Sequence, residues 1–182
     1  MTFDFDANLI LENSIAHLRP LKKDDFDLLL PFSINEPDLW KYSLIPANGP
    51  ENLKIYIDKA LLDKRKKTAY PFVVTDLRNG RIAGSTRFYD IQGHHKTLQL
   101  GYTWYGKEFQ GSGLNKNCKF LLLHYAFERL NAERVEFRAD HLNKRSIAAM
   151  KSIGCKEEGV LRSNCASPDG RRDSIILSIL KD

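Results

Sequence analysis

The spacing of apolar residues switches along the chain between the strand period of two and the helical period near 3.6, and that switching predicts the elements. Ser14-Ile15-Ala16-His17-Leu18-Arg19 alternates as a first strand that Pro20 ends. Residues 23–30 read as a short helix with Asp24 and Asp25 in its first turn, stopped before Pro31. An irregular, aromatic-rich segment follows over 32–50, and such segments commonly form pocket walls or lids. Residues 51–66 return to helical spacing, with Leu53, Ile57, Ala60 and Leu61 on one side.

Strand patterns at 70–75 and 82–89 flank Asp76-Leu77-Arg78-Asn79-Gly80, whose Asn-Gly pair signals a hairpin turn. A third strand runs through 98–105. Strict alternation puts Leu98, Leu100, Tyr102 and Trp104 on one face and Gln99, Gly101, Thr103 and Tyr105 on the other. Next come Gln110-Gly111-Ser112-Gly113-Leu114-Asn115 and an amphipathic helix with Leu114, Cys118, Leu121, Leu122, Tyr125 and Ala126 as its apolar stripe. Residues 135–139 form the following strand, so strand, helix and strand make a parallel crossover. A second helix starts near Asn143, turns Ile147, Met150 and Ile153 inward, and stops at Gly154. Two last strands, 156–165 and 173–180, flank the turn Ser167-Pro168-Asp169-Gly170. The expected fold class is mixed α/β: one domain over 1–182, led in by a loosely held 1–13, with a mostly antiparallel central sheet of about six to seven strands flanked by helices.

Composition narrows the function classes. At 182 residues and 42% apolar content the chain is globular and large enough for one core. No 18-residue apolar run occurs and the first residues are acidic, which leads us to expect a cytoplasmic protein without membrane partners. Three cysteines without ligand spacing argue against a disulfide framework or a metal site. The 28 basic residues against 23 acidic favour anionic partners. They are dispersed, and the one cluster, Lys64-Arg65-Lys66-Lys67, falls where a helix ends, so no nucleic acid is expected.

The chemistry concentrates in the glycine turn. A strand feeding a glycine-rich turn that opens a helix presents unpaired N–H groups, a cradle for phosphate. Gln110-x-x-Gly113-x-Asn115 resembles the acetyl-CoA signature of the GNAT superfamily of N-acetyltransferases. Its order with Asp140-His141-Leu142-Asn143-Lys144-Arg145-Ser146, Met150 and Ile153-Gly154-Cys155-Lys156-Glu157-Glu158-Gly159 is similar to the ribosomal-protein, RimJ/RimL-like branch. Glu12 to Leu21, Leu39-Trp40-Lys41-Tyr42 and Pro168-Asp169-Gly170-Arg171 extend the likeness to about residues 11–181.

The resemblance implies an acetyl-CoA-dependent N-acetyltransferase in which a primary amine, either a protein N-terminus or a small molecule, attacks the thioester directly in a ternary complex. The alternative is a non-catalytic acyl-CoA-binding sensor or scaffold. It places the diphosphate of coenzyme A on the main chain of Gln110, Gly111, Ser112, Gly113, Leu114 and Asn115, with Lys116 and Lys119 adding charge. The extended arm then pairs with Thr103, Trp104 and Tyr105 like an added strand, which requires the sheet to splay between this strand and that of Glu136.

Asn143 is read either as a helix cap or as a partner of the arm's amide, and Ser146 as lying near the sulfur, relaying a proton to it. Glu136 is the first choice of general base, unless it is simply ion-paired across the sheet; Glu108 and the His94-His95 pair are outside choices. Trp40, Tyr42, Phe88 and Tyr102 are expected to wall the acceptor pocket. Met150 stands where many of the family carry a tyrosine acid, so the proton for the leaving thiolate has another source or the reaction does without one. A monomer or homodimer is expected.

Overall fold

The computed structural model describes residues 1–167 and 170–181, so Pro168 and Asp169 of the expected last turn lie outside the described residues. Eight strands form one sheet: β1 (Leu11–Glu12), β2 (Ala16–Pro20), β3 (Ala69–Asp76), β4 (Arg81–Gln92), β5 (Thr97–Tyr105), β6 (Arg134–Asp140), β7 (Lys156–Ser167) and β8 (Gly170–Leu180). Four α-helices join them: α1 (Phe26–Asn35), α2 (Pro50–Arg65), α3 (Leu114–His124) and α4 (Lys144–Lys151). The strand order is β1-β2-β3-β4-β5-β6-β8-β7. Every pairing is antiparallel except β5 with β6, the expected crossover. The eighth strand is the two-residue β1, too short to show a period.

Two local readings change. Helix α1 continues through Pro31 to Asn35 instead of stopping before it. A proline there removes one helical hydrogen bond. The turn beyond it is held by burial of Phe32 and by Ser33 Oγ, which donates to the carbonyls of Ala47 and Gly49. The first residues are held more tightly than a loose lead-in: Phe3 enters the core against Tyr70 and Phe88, and the Tyr70 hydroxyl donates to Ala7 O while accepting from Leu9 N. The basic cluster lies as expected, at the C-terminal end of α2.

The sheet parts where the site needs it to. The β5–β6 ladder covers only Thr97–Gln99 against Arg134–Glu136 and then ends, leaving the two strands to diverge. A bulge in β5 accompanies the divergence: the register with β4 slips between Ser85 and Arg87, and Tyr102 takes φ of +51°. Bulges bend and twist the strand that carries them.

The same bulge overturns the strict two-face reading of β5. Leu100 lies opposite Phe88, whose ring stacks on Tyr125 just beyond α3. Past the bulge, Thr103 meets Lys119 of α3, whereas Trp104 Nε1 donates to Tyr56 of α2 and Tyr102 joins Tyr89 and Arg87. Thr103 and Tyr105 therefore share the α3 side with Leu98 and Leu100, and Tyr102 and Trp104 face the α2 side.

Candidate active site

The glycine turn is shaped by its neighbours on three sides. A short 3-10 turn, Lys107–Phe109, buries Phe109 and delivers the chain to Gln110. Gly111 and Gly113 then adopt φ of +71° and +84°, the left-handed region that favours glycine. Gly113 caps α3 without a side-chain hydrogen bond, and the first turn of α3 carries no acidic residue. Among the described residues, the backbone N–H groups of Gly111, Ser112, Gly113, Asn115 and Lys116 meet no acceptor. An uncapped helix start with this many free donors is suited to an anion.

Side chains brace the turn from behind. Ser112 Oγ donates to Phe109 O at 2.6 Å, and Arg78 donates to Ser112 O at 2.9 Å while paired with the buried carboxylate of Asp76. Arg78 escaped the sequence reading because it sits inside a segment legible only as a hairpin turn. Gln110 spans the mouth of the cleft: its Nε2 donates to Tyr105 O at 2.8 Å, and its Oε1 accepts from Arg145 of α4.

A cleft of about 610 Å³ opens between the parted strands, lined on the cofactor side by Thr103, Asn115, Lys119, Asn143, Ser146 and Met150. Asn143 Oδ1 caps α4 by accepting from Ser146 N at 3.1 Å, and its amide nitrogen donates to nothing among the described residues. Asn115 and Lys119 stand one helical turn apart on α3. The Asn115 Oδ1 atom is buried with no hydrogen-bond partner among the described residues, in a residue that lines the cleft. Lys119 lies in the gap and not at the phosphate turn: its Nζ donates to Thr103 Oγ1 at 2.7 Å, and burial pushes its amine down to about 8. Cys118 is fully buried, and burial pushes its thiol up to about 11, so it remains a protonated core side chain as expected.

The opposite side of the cleft is aromatic and cationic. Tyr42, Tyr56, Tyr89, Tyr102 and Arg172 line it. Behind them Arg87 is 1% exposed, packed on the rings of Tyr56 and Tyr102, with no carboxylate within ion-pair distance among the described residues. Burial pushes the Tyr56 phenol up, but the charge of Arg87, the polar groups of Ser85 and Arg87 beside it and the hydrogen bond from Trp104 Nε1 outweigh it and leave the phenol below its usual value. Tyr56 and Arg87 were invisible in the sequence, where one stands beside the apolar stripe of a helix and the other inside a strand.

Three expected site residues are corrected. Phe88 is fully buried among Phe3, Phe72 and Tyr125, in the core instead of the acceptor wall. Trp40 stands behind the wall, packed on Trp104 at 5.2 Å between ring centres. Glu136 does not line the cleft: Arg134 and Arg138 occupy its two carboxylate oxygens at 2.9 and 2.7 Å, an ion pairing along its own strand and not across the sheet as the alternative had it. Arg134 also grips Glu158 of β7, whose carboxyl it holds down to about 2 together with Ser178. Of the outside choices, Glu108 is paired with Arg81, and His94 and His95 pack on each other in the exposed β4–β5 turn.

The acetyltransferase (GNAT) domain family matches residues 16–156. The curated relative named "Putative ribosomal N-acetyltransferase YdaF", from Bacillus subtilis (strain 168), is 29% identical over 172 residues, covering 93% of each chain. A GCN5-related N-acetyltransferase from Brucella melitensis superposes with a TM-score of 0.88 at 22% identity, over 97% of this chain and 80% of that one. The microcin C7 self-immunity acetyltransferase MccE, solved with acetyl-CoA and AMP, superposes with a TM-score of 0.82 at 22% identity, over 93% and 94%.

Proposed function

The chain belongs to the GNAT acetyltransferase family, an acetyl-CoA-dependent class, and from that premise we propose that it acetylates a primary amine, foremost the N-terminus of a protein. One observation carries the reading: the unladdered ends of β5 and β6 and the unpaired N–H groups at the start of α3 border one cleft. Acetyl-CoA supplies the acetyl group as a thioester, a form open to attack by an amine. The N–H groups of residues 111–116 would hold its diphosphate, the edge of Thr103, Trp104 and Tyr105 its extended arm, and the free amide of Asn143 and the orphan carbonyl of Asn115 the arm's own amides. Ser146 adds a hydroxyl to the same wall.

The acceptor enters from the aromatic side, between Tyr42 and Tyr102. An α-amino group, with a reference pKa of about 8 against about 10.4 for lysine, sheds its proton near neutrality with little help. The name carried by the Bacillus relative, a ribosomal N-acetyltransferase, supports a ribosomal acceptor. In place of Glu136, Tyr56 takes the proton, because Arg87 beside it is a buried cation lacking a carboxylate and compensates a phenolate. Tyr56→Phe is expected to lower kcat about 100-fold, the scale of a lost acid–base group. Acetyl-CoA affinity by calorimetry should be unaltered; an unchanged kcat removes Tyr56 from this role.

No helix of the described residues is long and apolar enough to cross a membrane, which accords with a proposed cytoplasmic enzyme. We further read it as acting without nucleic acid, as a monomer or homodimer. Incubation with acetyl-CoA and a mixed library of peptides and metabolites, read by mass shift, tests the proposal. Acetylated peptide N-termini are the expected product, and binding of acetyl-CoA without turnover on any amine overturns it in favour of a sensor or scaffold.

A further inference from the structure

Position 119 borders the apolar stripe of α3, where Leu114, Cys118 and Leu122 are fully buried, and points into the gap between β5 and β6. A lysine there is expensive. An ammonium group withdrawn from water costs several kcal/mol unless partners replace its hydration. The structure offers one hydrogen bond, to Thr103 Oγ1, whose own partner is Thr86 Oγ1 at 2.8 Å. The Phe137 ring of β6 covers it at 5.8 Å from Nζ to the ring centre.

The groups facing Lys119 are all neutral near pH 7. Its own helix contributes Cys118 and the segment after α4 contributes Cys155, each thiol pushed up to about 11 by burial. Tyr105 of β5, held well above its ordinary value by burial, is neutral too. Two of the three ammonium donors are thus left for a ligand, and the charge has no counterion among the described residues. A fixed donor in a dry site, aimed where negative charge develops, is the arrangement that favours a departing anion.

Neither Met150 nor Ser146 on this wall supplies a proton of its own. Met150 carries a thioether without a proton to give. Ser146 is a hydroxyl that relays a proton only as it receives another.

We propose that Lys119 is the catalytic acid of the cleft, facing the thioester sulfur and handing it a proton as coenzyme A leaves; this rests on the acetyl-CoA reading above. The carbon–nitrogen bond to the acceptor forms as the carbon–sulfur bond breaks, and the electron pair of the broken bond stays on sulfur. Lys119 Nζ protonates that sulfur and becomes a neutral amine. The acceptor nitrogen gives up one proton on the other side of the sheet, and solvent returns one to Lys119, so the overall products are amide and thiol.

The test is a titration of the coenzyme A thiol bound to the protein, followed by thiolate absorbance across pH, in wild type and Lys119→Met. Beside the ammonium the bound thiol should ionise about 1–3 pH units below free coenzyme A, as expected next to an opposite charge. Lys119→Met should abolish that displacement and lower kcat about 100-fold with acetyl-CoA affinity retained. It should also remove the fall in wild-type kcat above about pH 8, where Lys119 loses its proton. A bound thiol that titrates like the free one, or alike in both proteins, overturns the role of Lys119 while leaving the acetyl-CoA site standing. Failure of coenzyme A to bind wild type overturns the site itself. The wild-type titration decides the matter even if the variant does not fold.

Discussion

Gly113→Val is expected to weaken acetyl-CoA binding about 100-fold, close to 3 kcal/mol, by calorimetry. Gly113 holds φ of +84° at the start of α3, a conformation costing an L-residue about 1–2 kcal/mol and a β-branched one more. A Cβ placed there meets no protein atom within 4 Å, so the fold has room for it. Among the described residues, unpaired N–H groups flank Gly113 within three residues on either side. The substitution therefore tilts those donors, with a melting temperature lowered by only a few degrees, about the strain alone. Lys116→Ala, which removes a side chain but no main-chain donor, should cost far less. A Gly113→Val protein that binds acetyl-CoA within about threefold of wild type would place the diphosphate elsewhere.

Phe88→Ala should lower the unfolding free energy by about 3–5 kcal/mol, the usual result of emptying a fully enclosed aromatic site. The ring sits 6.1 Å from Phe3, 5.8 Å from Phe72 and 6.2 Å from Tyr125 between centres, so its loss unseats the N-terminal segment and the end of the α3 helix together. Tyr42→Ala supplies the contrast. Tyr42 lines the cleft and should change the acceptor KM with little effect on denaturant midpoint. A stable Phe88→Ala protein with a raised acceptor KM would return Phe88 to the pocket.

The difference between those two aromatics shows what a sequence discloses. Leu98, Leu100 and the helix stripe of α3 are legible because burial on one face imposes a period, and the glycine turn because a left-handed start to a helix favours glycine. The parting of the sheet was legible from the crossover and from the family resemblance together. The bulge was not: Tyr102 takes a positive φ without a glycine or asparagine to announce it, and from that point every face assignment in β5 reverses. Phe88 was misplaced because alternation along β4 cannot say which face holds the pocket.

Glu136 was misjudged for a related reason. Arg134 and Arg138 lie two positions away on the same strand, so all three share a face, and only the folded register brings Glu158 in to complete the network. Lys119 and Tyr56 were hidden more deeply. Each lies beside an apolar helix stripe, and their character comes from what surrounds them, a gap in the sheet for one and an unpaired arginine for the other.

The central claim is that main-chain amides at the start of α3, beside the parted strands, hold the cofactor. Amide hydrogen exchange of wild type with and without saturating acetyl-CoA tests it most directly. Slowed exchange is predicted at the N–H groups of Gly111, Ser112, Gly113, Asn115 and Lys116, which lack acceptors among the described residues, and along the open edge of β5. Saturable binding with no protection at 111–116 would contradict the account.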